Sequence, residues 1–142
     1  MSRPELRNVE VRVRVRPGTK KSCVRTHSTK ELSVDDKRWA FDRVYGPKSS
    51  QEDVYEEAVK PLVEATLDGY NSTVFAYGQT GSGKTYTMEG PPSKRGVNVR
   101  AIARVLEAAS QRSDGVSYEP LEISMLEIYN EQVRDLLRPP GA

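Results

Sequence analysis

GQTGSGKT, residues 78–85, is the stretch that decides the fold. Gly78, Gly83, Lys84 and Thr85 hold the defining places of the pattern G-x-x-x-x-G-K-[ST], which cradles a phosphate chain. A phosphate chain packs several negative charges into a small volume. Glycines let backbone N–H groups turn inward and touch it without a Cβ in the way. The helix that follows such a loop points its free N–H groups and positive dipole end at the same place. Lys84 adds a mobile charge for the outer phosphates, and the Thr85 hydroxyl can ligate Mg²⁺. The competing reading is a glycine-rich surface loop with an incidental lysine. It leaves the surroundings unexplained, because a short apolar run (Thr73 to Tyr77) precedes the loop and a helix start follows it. The pattern is that of a protein that binds a nucleoside triphosphate.

Working outward from the loop, residues 73–77 are apolar without alternation, as a strand buried on both faces of an α/β sheet should be. Upstream lies the clearest helix. Ser49 and Glu52 have capping-box spacing, and Val54/Tyr55, Ala58/Val59, Leu62/Val63 and Leu67 then form one apolar stripe that ends at Gly69. Pro61 inside that stripe should kink the helix or split it in two. Residues 9–16 alternate valine with charge, which predicts a strand ended by Pro17-Gly18; taken alone, its arginines form a solvated face. A short strand is expected around Leu32 and Val34, and another from Trp39 through Tyr45.

Downstream, Gly90-Pro91-Pro92 interrupts the helix of the loop, and Ile102, Val105, Leu106 and Ala109 resume helical spacing. Residues 118–129 alternate and then change phase, which predicts a strand with a bulge and leaves a helix as the alternative. Val133, Leu136 and Leu137 make a short apolar end. The order is strand, strand, helix, strand, phosphate loop, helix, strand. That is an α/β layered arrangement with its nucleotide site at the carboxyl end of a strand.

Composition removes other chemistries. The chain has 142 residues, enough for one domain with a real core, and 30% of them are charged. A net charge of +2 advertises no nucleic-acid partner, and no apolar stretch approaches the roughly 20 residues of a membrane helix. The polar start lacks the apolar core of a signal peptide. The lone cysteine, Cys23, forms no internal disulfide and fits a reducing cytosol. The lone histidine, His27, sits in a polar stretch and reads as solvated, and one Cys with one His makes no zinc pattern.

At this point the residues resemble one family. GQTGSGKTYTMEG at 78–90, FDRVY at 41–45, LDGYNSTVFAYGQT at 67–80 and SMLEIYNEQVRDLL at 124–137 are similar, in order, to motifs of the kinesin motor domain, and RVRP at 14–17 resembles its R-x-R-P element. The resemblance covers residues 9–137. It implies a phosphate-loop NTPase fold with a central mixed sheet flanked by helices, of which 9–142 would be the N-terminal portion behind a short segment, 1–8. It implies ATP and Mg²⁺ as ligands. Arg14 and Pro17 would flank the adenine, and the Tyr86 ring would lie against it. Gln79, Thr80, Gly81 and Ser82 would offer backbone N–H groups to the phosphates between Gly78 and Gly83. Lys84 would contact the outer phosphates and Thr85 the metal. The residues alone leave Tyr86 open as a core tyrosine and Arg14 as part of a solvated face.

GVNVRAI at 96–102 and SMLEIYNEQVRDLL look most like the minus-end-directed, C-terminal-motor branch, kinesin-14. That branch carries a coiled-coil neck before the motor, and the residues ahead of the first strand show no heptads. The resemblance implies a microtubule-stimulated ATPase at the cytoplasmic microtubule cytoskeleton. It would bind tubulin and dimerise through a coiled coil outside this chain, without nucleic acid or membrane insertion. The family's switch segments, N-x-x-S-S-R-S-H and D-L-A-G, do not occur in 1–142. The chain alone is therefore expected to fall short of full catalysis and to leave strand edges uncovered. A nucleotide-binding remnant or regulatory product, and an unrelated phosphate-loop kinase, are the alternatives.

Overall fold

The computed structural model describes residues 9–18, 23–111 and 121–139, and the chain divides into two compact units, 1–111 and 112–142. In the first unit the valine alternation yields β1 (Arg12–Arg14), which runs parallel to β5 (Arg43–Tyr45) with Val13 opposite Val44. Between them in sequence, β2 (Val24–Thr26), β3 (Glu31–Val34) and β4 (Lys37–Ala40) form an antiparallel meander. The strand expected from Trp39 through Tyr45 is therefore two strands in two sheets. The chain changes sheet at Asp42, whose backbone N–H donates to the Val11 carbonyl while its carboxylate accepts the Val11 N–H at 2.8 Å.

The long helix begins one residue later than its expected cap. Ser50, not Ser49, is the N-cap. Its hydroxyl accepts from the Asp53 N–H at 3.0 Å, and the Asp53 carboxylate accepts the Ser50 N–H at 2.7 Å. Ser49/Glu52 and Ser50/Asp53 have the same spacing, so the pattern could not choose between them. α1 (Gln51–Val54) runs into one π turn (Tyr55–Val59) and then α2 (Lys60–Leu67), with Pro61 in the first turn of α2. A proline there offers no donor and crowds the preceding turn, and the wider π turn accommodates it.

After the phosphate loop come α3 (Lys84–Met88) and α4 (Val97–Gln111), separated by the expected break. The core gathers Tyr45, Val54, Tyr55, Val59, Val63 and Val97, with Met88, Ala101 and Val105 packed against it. Each such aliphatic side chain contributes about 1.5–3 kcal/mol by leaving water. The core thereby ties β5, the split helix, α3 and α4 into one body.

The strand expected at 73–77 is absent. These residues join no ladder with any described strand, and Phe75 and Tyr77 are 78% and 95% exposed. A strand exists only through ladder bonds to a neighbour, and none of the described strands forms them with this run.

The second unit is a hairpin of β6 (Leu126–Tyr129) and β7 (Gln132–Asp135), with Ile128 opposite Val133. The bulged strand expected over 118–129 is thus a shorter strand followed by a second one; residues 118–120 lie outside the described residues. The two-residue turn, Asn130-Glu131, has φ of +50° and +61°. Such a turn needs the left-handed region twice. Asparagine enters it readily and glutamate does not, so the composition hid the turn. Among the described residues no helix is long and apolar enough to cross a membrane.

Candidate functional site

The phosphate loop closes tightly on itself. Gly83, at the head of α3, has a φ of +105°, which a residue with a Cβ rarely adopts. A Cβ on Gly78 would stand 2.6 Å from the Ser82 hydroxyl oxygen. The Lys84 ammonium reaches back across the loop and donates to the carbonyls of Gly78 at 2.8 Å and Gln79 at 3.0 Å. Thr85 is exposed in the first turn of α3.

A cleft of about 980 Å³ opens beside the loop. Of the residues expected to form the site, Arg14, Pro17, Gly81, Ser82, Gly83, Lys84, Thr85 and Tyr86 line it. Gly78, Gln79 and Thr80 do not. The first two are instead held through their carbonyls by Lys84. The other cationic linings are Arg16, Lys48, Lys94 and Arg100, and Glu52 is the acidic one. Such a wall attracts an anion.

The end of β1 supplies the other side of the cleft. The Arg14 guanidinium sits 5.2 Å from the centroid of the Tyr86 ring. It donates to the Gln51 side-chain oxygen at 2.6 Å, to the Thr87 hydroxyl at 3.1 Å and to the Ser49 carbonyl at 3.4 Å. Burial lowers its pKa, against the favourable influence of Tyr86 and Asp53, and the group stays cationic. Arg14 is thus no member of a solvated face. Tyr86 is 42% exposed, so it is no core tyrosine either.

Two residues of the site went unnoticed in the sequence. Arg16 donates to the Gly81 carbonyl and so holds the loop from the β1 side. It belongs to the R-x-R-P element, which was the signal available. Gln51 is buried at 4% exposure and bridges Arg14 to the backbone of Tyr86 and Lys94. Its signal was a polar residue in register with the apolar stripe of Val54, Tyr55 and Ala58. No group of three or more His, Cys, Asp or Glu side chains that could hold a metal occurs among the described residues.

Against known proteins, the chain matches the kinesin motor domain family over residues 1–141. It is 54% identical over 107 residues to kinesin-like protein KIN-14R of Arabidopsis thaliana, covering 75% of this chain and 10% of that protein. It is 40% identical over 153 aligned positions to kinesin-like protein KIN-14D of Oryza sativa subsp. japonica, covering 94% of this chain and 16% of that protein. The crystal structure of Drosophila Kin10/NOD in complex with divalent manganese and ADP matches with a TM-score of 0.78 at 33% identity, covering 92% of this chain and 48% of that one. The chain thus spans a small part of its curated relatives and about half of the solved motor domain. Phosphate loop, motif order and backbone agree with these likenesses: the chain belongs to the kinesin motor domain family, in its kinesin-14 branch.

Proposed function

We propose that this chain is the ATP-binding part of a kinesin-like microtubule motor, and that the full-length protein couples ATP hydrolysis to movement along microtubules. One observation carries the reading. Arg14 at the end of β1 meets Tyr86 and Thr87 of α3, about 73 residues later in the chain, at one side of the cleft whose other side is the Lys84 loop. A flat base suits the first end and a phosphate chain the second. A bare phosphate would leave the Arg14–Tyr86 pair unused.

The residues fit the ligand they imply. The loop is curved so closely that a Cβ at Gly78 would collide with Ser82. Lys84 is bonded to neutral carbonyls, and phosphate oxygens would add an opposite charge to pair with its ammonium. Arg14 and Pro17 flank the base and Tyr86 stacks on it. Gly81 and Ser82, which line the cleft, present backbone N–H groups to the phosphates, and Lys84 neutralises the outer ones. Thr85 offers one oxygen to Mg²⁺, which when bound offsets the charge that develops on the phosphate oxygens. Kin10/NOD, with its ADP and manganese, holds a ligand pair of this kind. Tubulin is the partner, dimerisation runs through a coiled coil elsewhere in the full-length protein, and the setting is the cytoplasmic microtubule cytoskeleton.

The test is Mg·ATP affinity and microtubule-stimulated phosphate release by the full-length protein, with and without Lys84→Ala. The variant is expected to lose productive ATP binding. Unchanged affinity and turnover would overturn the site assignment.

A further inference from the structure

Gln51 opens α1 with its side chain buried. Its amide has an acceptor end and a donor end, and its partners force which is which. Arg14 can only donate, and its Nη1 lies 2.6 Å from the Gln51 Oε1. The carbonyls of Tyr86 and Lys94 can only accept, and they lie 2.6 Å and 3.2 Å from Nε2. Gly90 makes room for this, because a Cβ there would stand 2.7 Å from Nε2. The Ser50–Asp53 capping box immediately before fixes where the helix, and with it Gln51, begins.

We propose that Gln51 is the positioning residue of the base slot: it holds the Arg14 guanidinium against the Tyr86 ring and so sets the preference for a nucleoside triphosphate over a bare triphosphate. This rests on the nucleotide reading above. Arg14 ends a long side chain with many rotamers, and a base gains little from a partner it must first immobilise. Gln51 does that ordering in advance. One face of the amide locks the guanidinium plane, and the other locks the backbone that carries the Tyr86 ring. Its bonds touch neither Lys84 nor the loop 78–83, so the phosphate end is independent of it.

The experiment compares Mg·ATP with Mg·triphosphate by titration calorimetry on the full-length protein. Gln51→Met fills the same space without polar ends. It should weaken ATP by about tenfold and leave triphosphate within about twofold, since only the base slot loses its ordering. Gln51→Glu keeps the acceptor for Arg14 but loses the donor for the Tyr86 backbone, so its ratio should fall between wild type and Gln51→Met, while its carboxylate facing two carbonyls lowers the melting temperature. A merely structural role would weaken both ligands together, and that outcome overturns the proposal. So does an unchanged ratio in Gln51→Met, or a ratio lost equally in Gln51→Glu. Should Gln51→Met fail to fold, Arg14→Lys keeps the charge but loses the flat fork, and the same selective loss of ATP is expected; no selective loss overturns the proposal. A wild-type protein that binds ATP no better than triphosphate overturns the nucleotide reading itself.

Discussion

The Arg12 guanidinium donates at 2.7 Å to the backbone carbonyl of Glu57. In an uninterrupted α ladder that carbonyl would be served by the N–H of residue 61, and residue 61 is proline. Pro61 has no N–H to give the carbonyls of the π turn, and a side chain from β1 supplies a donor to one of them, so the split in the helix becomes an attachment point for the sheet. Arg12 is also bonded to the Glu10 carboxylate and the Tyr45 hydroxyl. Burial pulls its pKa down, and those bonds outweigh it and leave the pKa raised.

Arg12→Ala is expected to destabilise the protein by about 1–2 kcal/mol, because a charge-assisted bond to a backbone carbonyl is lost. The cost should shrink when Pro61→Ala restores the missing N–H, since the carbonyl then has another donor. Urea unfolding of the two single variants and the double variant measures this coupling. Additive costs would show that Arg12 does not act through Glu57.

Tyr86→Ala should weaken ATP binding by about 1 kcal/mol and leave triphosphate binding nearly untouched, because the base is the only part of the ligand that the ring would stack on. Competition titrations with both ligands read the difference. A matching loss for triphosphate would place the ring's effect in the loop rather than in the slot.

Tyr55 is packed in the core at 5% exposure, and its hydroxyl finds no hydrogen-bond partner among the described residues. Burial accordingly raises the pKa of the phenol. Tyr55→Phe removes a buried polar atom without opening a cavity and should raise stability by about 1 kcal/mol. A lower melting temperature would mean that the hydroxyl is bonded in the full-length protein.

The Asp53 carboxyl is held below its ordinary value of 3.8, first by the Ser50 backbone N–H and then by the Ser50 hydroxyl. A depressed carboxyl stabilises the fold above its unfolded pKa, and that contribution fades as pH falls through the folded value. The stability gap between wild type and Asp53→Ala should therefore be constant above about pH 5 and close progressively below pH 4. A gap that widens in acid would contradict the capping role. Salt should change it little, because the bonds are short and local.

The elements that were legible in the residues are those that a local rule specifies. The glycine and lysine spacing of 78–85, the 3.6-residue stripe of 54–67, the alternation of 9–16 and the break at Gly90-Pro91-Pro92 each need only neighbours in sequence. Others misled because two local readings were equally good, as with Ser49 and Ser50, or because an unfavourable residue occupied a required conformation, as with Glu131. The run at 73–77 has the composition of a buried strand, but a strand is defined by what lies beside it.

Residue order alone was enough to specify a phosphate-binding loop, the helix that follows it and the family to which they belong, because curvature and charge there come from consecutive residues. The tertiary structure alone decided that Arg14 faces Tyr86 rather than water, that Arg12 serves the Glu57 carbonyl in the π turn, and that Gln51 joins both sides of the cleft. Each of these is a hydrogen bond or a ring contact between residues at least 35 positions apart. No local periodicity encodes such a partner, and only the packing of β1, the split helix and α3 brings the donors to their acceptors.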